Sequence, residues 1–117
     1  MNNILKELKK KLFLDYIGIF SKEGFIVFEE KDTDSTLQSE IIVGELSVIL
    51  KNSRDFAGDA MNTEFKSLFI KLKNGKGVSV DYINDDFFIV SILSENTIFS
   101  KYNYFINKEK VKISAVL

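Results

Sequence analysis

Any chemistry in this sequence must come from a short set of residues. Carboxylates sit close together twice, at Asp32/Asp34 and at Asp85/Asp86. Neighbouring carboxylates can hold a divalent cation or share acid–base work. Both pairs fall in stretches that read as turns, "EKDTDS" and "NDD", with no calcium-loop pattern around them. Asp is favoured in turns because it hydrogen-bonds its own backbone. "NGKG" (74–77) is the one segment with a phosphate-loop flavour. A nucleotide loop needs four residues between its first Gly and a Gly-Lys-Ser/Thr, then a helix. Here a single residue separates the glycines and a strand pattern follows, so the segment reads as a hairpin turn.

Arg54 is the only arginine. An arginine can complete a GTPase site; near the end of a helix it also balances the negative pole of the helix dipole. The chain has no His, which excludes imidazole catalysis and His-ligated metals. It has no Cys, which excludes disulfides, thiolate catalysis and Cys-ligated metals, and suits a reducing cytoplasm. Ser and Thr are present, but nothing marks a Ser–Lys arrangement. No catalytic, cofactor or metal site is therefore expected. The expected function is not enzymatic and is carried by surfaces.

Which elements form those surfaces follows from periodicity. Ile4, Leu5, Leu8 and Leu12 predict an amphipathic helix over residues 2–11, with Lys6, Lys9, Lys10 and Lys11 on a solvated outer face. "FLDYIGIF" (13–20) and "FIVFEE" (25–30) predict a hairpin closed by Gly24. The first strand is apolar on both faces, with Tyr16, Gly18 and Phe20 on one and Phe13, Ile17 and Ile19 on the other. Such a strand belongs to a sheet covered on both sides. A long helix is predicted over residues 35–56, capped by Asp34 or Ser35 and stopped near Gly58. Strands over 64–72, 77–83 and 87–93 form a meander. "SENTIFSKYNYFINKE" turns helical, capped by Ser94 or Asn96, with Ile98, Phe99, Tyr102, Phe105 and Ile106 on one face. The tail "KVKISAVL" is read as an extended segment.

The sum is a single α+β domain over residues 1–117: an α/β/α sandwich in the order αββαβββα, with a mostly antiparallel five-stranded sheet. At 117 residues, 45% hydrophobic and 28% charged, the chain is of ordinary globular composition, with 11 Phe for its core. A net charge of −1 gives no overall pull toward nucleic acid or an anionic membrane. No apolar run is long enough to span a bilayer, and the first residues do not read as a signal peptide. No nucleic-acid partner and no membrane insertion are expected.

The long helix carries more apolar surface than one sheet can use. At about 100° per residue, Leu37, Ile41, Gly44 and Val48 form a narrow stripe with 4-3-4 spacing, the seam spacing of paired helices. Ile42, Leu46, Ile49, Ser53 and Phe56, widened by Val43 and Leu50, form a broad band assigned to the helix's own sheet. Glu40, Glu45, Ser47 and Lys51 are polar positions left exposed, and are where a partner's footprint is expected. Gly44 costs about 1 kcal/mol of helix propensity relative to Ala. Its presence makes sense if another backbone approaches there, so the narrow stripe is expected to be a subunit contact.

The element order, with "GIFSKEGFIVFEE" before the long helix and "SLFIKLKNGKGVSVDYINDDFFIVSIL" after it, resembles the Roadblock family of dynein light-chain and GTPase-regulator domains. The resemblance covers roughly residues 3–108 and rests on pattern and order. Longin and profilin-like domains share the layer scheme. The resemblance implies a homodimer or heterodimer in which the long helices pair and the third strands join edge to edge. Carried over, the interface is Leu37, Ile41, Gly44 and Val48 with Phe65, Ser67 and Phe69 of the third strand. It further implies a cytoplasmic scaffold that binds or regulates a Ras-like small GTPase by remodelling it. The alternative is a structural adaptor in a larger assembly with no GTPase partner.

Overall fold

Every strand of this protein borders an antiparallel neighbour, and the two most apolar strands lie innermost. The computed structural model describes residues 1–117. In chain order the elements are α1 (Asn2–Lys11), β1 (Leu14–Ser21), β2 (Ile26–Lys31), α2 (Ser39–Asp55), β3 (Ser67–Lys71), β4 (Gly77–Tyr82), β5 (Phe87–Leu93) and α3 (Phe99–Ala115). The sheet order is β2-β1-β5-β4-β3, so β2 and β3 are its edges. The order αββαβββα and the antiparallel sheet with helices on both faces are those expected from the sequence.

Alternation divides the core into two layers. Ile17, Ile19, Ile89 and Leu93 meet Leu5, Leu8 and Leu12 from the α1 region and Tyr102, Ile106 and Ile113 of α3. On the opposite face Tyr16, Phe20, Phe88, Val90 and Val80 meet Val43, Leu46 and Leu50 of α2. One face thus receives two helices and the other receives one.

Gly24, at φ +93°, closes the β1–β2 hairpin as its spacing suggests. Phe13 is not part of β1. It adopts φ 56° in the α1–β1 turn and stands exposed, so it does not share a face with Ile17 and Ile19. Gly18 has a different task. A methyl group there would lie 2.5 Å from the Tyr16 hydroxyl and 3.0 Å from its ring. The bare glycine lets the buried Tyr16 ring lie along the strand and donate to Glu29 Oε2 at 2.8 Å.

Four boundaries differ from the sequence reading: β3 begins at Ser67 and not at Glu64, and the other three have a local reason. α2 begins at Ser39, not Ser35. The Ser35 hydroxyl accepts from the Leu37 N–H instead of capping the helix. Lys31 Nζ donates to the Leu37 carbonyl and the Ser39 hydroxyl, holding the chain just before the first turn. At the other end, Gly58 lies inside a widened π-helical turn, Phe56–Ala60, and the chain reverses at Asn62 with φ 52°. α3 starts at Phe99 because the Ser94 and Thr97 side chains close the preceding turn on each other and on the Phe13 carbonyl. The tail is not extended. It continues α3 to Ala115, because Ile113 falls seven residues after Ile106 on the same buried face.

Replacing Gly18 with Ala is expected to cost about 1–3 kcal/mol, the usual range for forcing a methyl into a filled site. Urea titration should show the lower midpoint. The cost should shrink in a Tyr16→Phe background, where the crowded hydroxyl is gone. Equal costs in both backgrounds would contradict this account.

Candidate functional site

The residues with chemical potential are occupied by local structure. Asp32 pairs with Lys9 at 2.7 Å. Asp85 accepts from the Tyr82 hydroxyl at 2.7 Å, and Asp86 lies 3.5 Å from Lys22. The Asn84 side chain accepts from the backbone N–H groups of Asp86 and Phe87, which makes the segment an Asx turn. The "NGKG" segment is the β3–β4 hairpin turn, with Gly75 at φ 91° and the Asn74 side chain accepting from the Lys76 N–H. No group of three or more acidic residues converges as a metal site would require. Arg54 lies in the last turn of α2 with its guanidinium 5.6 Å from the Phe88 ring centroid, a cation–π contact.

The outer face of α2 is different. The helix contacts its sheet through Ser39, Val43, Leu46 and Leu50, itself a 4-3-4 seam. Ile41 and Val48 point away and are 59% and 62% exposed. Between them Gly44 has nothing within 4 Å of where a Cβ would stand. Ile49 and Phe56 are also exposed, which corrects their assignment to the sheet-facing band. They form one wall of a groove whose other wall is Phe65, Ser67 and Leu68. β3 is the last strand, so no further strand lies beneath them. The exposed apolar arc is therefore wider than the narrow stripe read from the sequence.

The other sequence-derived positions separate. Leu37 precedes the helix and Phe65 precedes β3 instead of lying in it; both are half-buried and pack against the α2-side core. Ser67 and Phe69 are exposed on β3, but the Phe69 ring points to the far face of the sheet and stacks on Phe99 at 4.5 Å. β3 pairs only with β4, leaving one row of backbone N–H and C=O groups open. Glu45 lies within the exposed apolar arc between Val48 and Ile49 when α2 is viewed along its axis. Glu40, Ser47 and Lys51 lie on the opposite flank. Ser47 is half-buried, donates to the Val43 carbonyl at 2.8 Å and packs against Gly24. Lys51 lines a cleft with Lys22, Arg54 and Asp55.

The sequence reading missed a buried polar cluster under α3. Ser79 and Tyr102 both donate to Asp81 Oδ2, at 2.9 and 3.0 Å. Lys110 Nζ lies 3.9 Å from Asp81 Oδ1. Ser91, opposite Ser79 in the sheet, has a buried hydroxyl with no partner. Burial raises the Asp81 pKa, opposed by Lys110 and by the two hydroxyl donors. Burial lowers the Lys110 pKa, opposed by Asp81. The signal was present in "GVSVDYI": Gly77, Ser79 and Asp81 alternate on one face of a strand with no large apolar side chain among them. The cluster clamps α3 to β4. At 3% and 0% exposure, Asp81 and Tyr102 offer a substrate no entrance.

No protein-family model matches this sequence, and no curated protein matches it. Solved structures match the fold closely at low identity. MglB of Myxococcus xanthus superposes with a TM-score of 0.88 at 13% identity, over 98% of this chain and 92% of that one. The gliding protein MglB of Thermus thermophilus gives 0.87 at 11%, over 97% and 85%. The Roadblock/LC7 domain from Streptomyces avermitilis gives 0.85 at 10%, over 99% and 96%. The chain has a Roadblock-like fold.

Removing Asp81 by substitution to Ala should cost about 3–5 kcal/mol, because Lys110, Ser79 and Tyr102 lose a shared buried partner. Its raised pKa also sets a pH trend. As pH falls, the folded chain takes up the Asp81 proton before the unfolded chain does. Stability relative to an Asp81→Asn variant should therefore rise as pH falls through the raised value, levelling off below about 3.9. Urea midpoints of both proteins across that range test the sign; a gap that moves the other way would refute it.

Proposed function

We propose that this chain is a dimeric scaffold that binds or regulates a Ras-like small GTPase. One observation carries the dimer: an outward apolar arc on α2, Ile41, Gly44, Val48, Ile49 and Phe56, continues across a groove to the open β3 edge. The Roadblock-like fold supports the same reading.

Magnitudes say what such a dimer needs. Fully burying a large apolar side chain contributes about 1.5–3 kcal/mol. Four such side chains per protomer set against an association cost of about 4–15 kcal/mol leave a modest surplus. Helix pairing is therefore best accompanied by strand pairing, with β3 joining β3 of a second copy through Ser67 and Phe69 into one continuous sheet. The open space at Gly44 is where two α2 backbones approach closest. Leu37 and Phe65, half-buried beside the core, support the interface.

The GTPase reading rests on the Roadblock resemblance. Its expected footprint is the polar flank of Glu40, Ser47 and Lys51, with Glu45 nearer the dimer seam. Remodelling of the GTPase, which the resemblance implies, fits a chain with no His and with its one arginine packed on Phe88.

Gly44→Arg should convert the dimer to monomer in sedimentation equilibrium. A Cβ at this position has nothing within 4 Å and Ile41 and Val48 beside it point outward, so the folded monomer should persist by circular dichroism. An unchanged dimer would refute the seam. Titration with a Ras-like GTPase from the same organism should show nucleotide-dependent binding. A stable complex indifferent to nucleotide would favour the adaptor role, and no binding in either nucleotide state would remove the GTPase role.

A further inference from the structure

The net charge of −1 hides a segregation of charge. α1 carries Lys6, Lys9, Lys10 and Lys11 against Glu7. α3 carries Lys101, Lys108, Lys110 and Lys112 against Glu109. Each helix is net +3, so the pair is +6 and the rest of the chain is −7. Both helices cover the same face of the sheet, the one opposite α2.

Three of the eight lysines pair with a carboxylate of the chain: Lys9 with Asp32, Lys110 with Asp81, and Lys112 with Glu109 at 3.8 Å within α3. Lys112 and the five others are exposed. At about 100° per residue, Lys101, Lys108 and Lys112 share one flank of α3. That flank borders α1, because Lys112, Glu109 and Phe105 line a groove with Ile4, Glu7 and Lys11, and the Lys11 ammonium sits 3.7 Å from the Phe105 ring centroid. Lys6 and Lys10 lie on the outer side of α1, along a cleft whose other wall carries Glu30, Asp32 and Asp34. On the crest of α3, beside the lysine row, Tyr104 and Val111 are 57% and 76% exposed. Lysines bordering an exposed aromatic and an exposed aliphatic side chain are the composition of a surface that rests on lipid headgroups.

We propose that the α1–α3 face docks peripherally on an anionic phospholipid bilayer. Lysines reach the phosphates, and Tyr104 and Val111 enter the headgroup layer. No helix is long and apolar enough to cross a membrane, so the contact is superficial. Nucleic acid fits this face less well. Its recognition favours the planar fork of arginine, absent here, and a phosphodiester backbone has no use for Val111. The −7 remainder is repelled by the same bilayer, so the charge pattern also fixes orientation, with α2 turned to the aqueous side. Assembly through α2 and β3 leaves the face free, so this proposal does not depend on the dimer.

The test is co-sedimentation of the full chain with vesicles at low salt. Vesicles of phosphatidylcholine and phosphatidylserine should retain it, vesicles of phosphatidylcholine alone should not, and retention should fall as salt rises. Lys101→Gln/Lys108→Gln/Lys112→Gln should weaken partitioning by about fivefold per lysine removed. Val111→Asp should weaken it as well, whereas Lys22→Gln, in the cleft beside α2, should leave it unchanged. Circular dichroism confirms that each variant is folded. Absence of binding to phosphatidylserine vesicles, equal binding by the triple variant, an equal loss in Lys22→Gln, or tighter binding to duplex DNA or RNA than to vesicles would each overturn the proposal.

Discussion

The structure depends on one constraint: β1 and β5 are apolar on both faces, so the sheet must be covered twice. Five strands at about 4.8 Å spacing span roughly 20–24 Å, whereas one helix with its side chains is about 10–12 Å across. Two helices, α1 and α3, can cover one face. α2 alone cannot cover the other. It sits over the middle of the sheet and leaves the β3 side open. The exposure of Ile49 and Phe56, the groove beside Phe65 and the unpaired edge of β3 all follow from that shortage of cover.

The doubly covered face bears a different burden. Beneath α3, β4 presents Gly77, Ser79 and Asp81 in place of large apolar side chains. α3 is held there by Tyr102 and Lys110 reaching one carboxylate as well as by its apolar contacts. A polar clamp of this kind is demanding, since each partner is costly if left alone. It also fixes which side of α3 faces inward, and so keeps the lysine flank and the crest of Tyr104 and Val111 outside. The two faces of the sheet are thereby differentiated, an apolar open face around α2 and a basic closed face over α1 and α3.

Much of this was legible in the residues. Alternation in "LDYIGIF" and the near-continuous apolar run "FFIVSIL" identify strands with two buried faces, and Gly24 marks its hairpin. Gly44 within an apolar stripe marks a surface with room beside it. Other features were misread because side chains found partners that spacing does not reveal. Ser35 and Ser94 look like helix caps, but each hydroxyl is spent on a turn just outside its helix. "KVKISAVL" alternates like a strand, yet Ile113 continues the buried row of α3.

The sequence by itself determined the element order, the antiparallel layers and the absence of His and Cys chemistry, because period and composition are local properties of the chain. Only the tertiary structure decided which apolar positions of α2 stay outside, since that depends on where the sheet ends beneath the helix. It also gathered Ser79, Asp81, Tyr102 and Lys110 from two distant segments, and brought α1 and α3 side by side. A total charge of −1 is a sum over residues; the segregation into +6 and −7 exists only once folding has placed those residues in space.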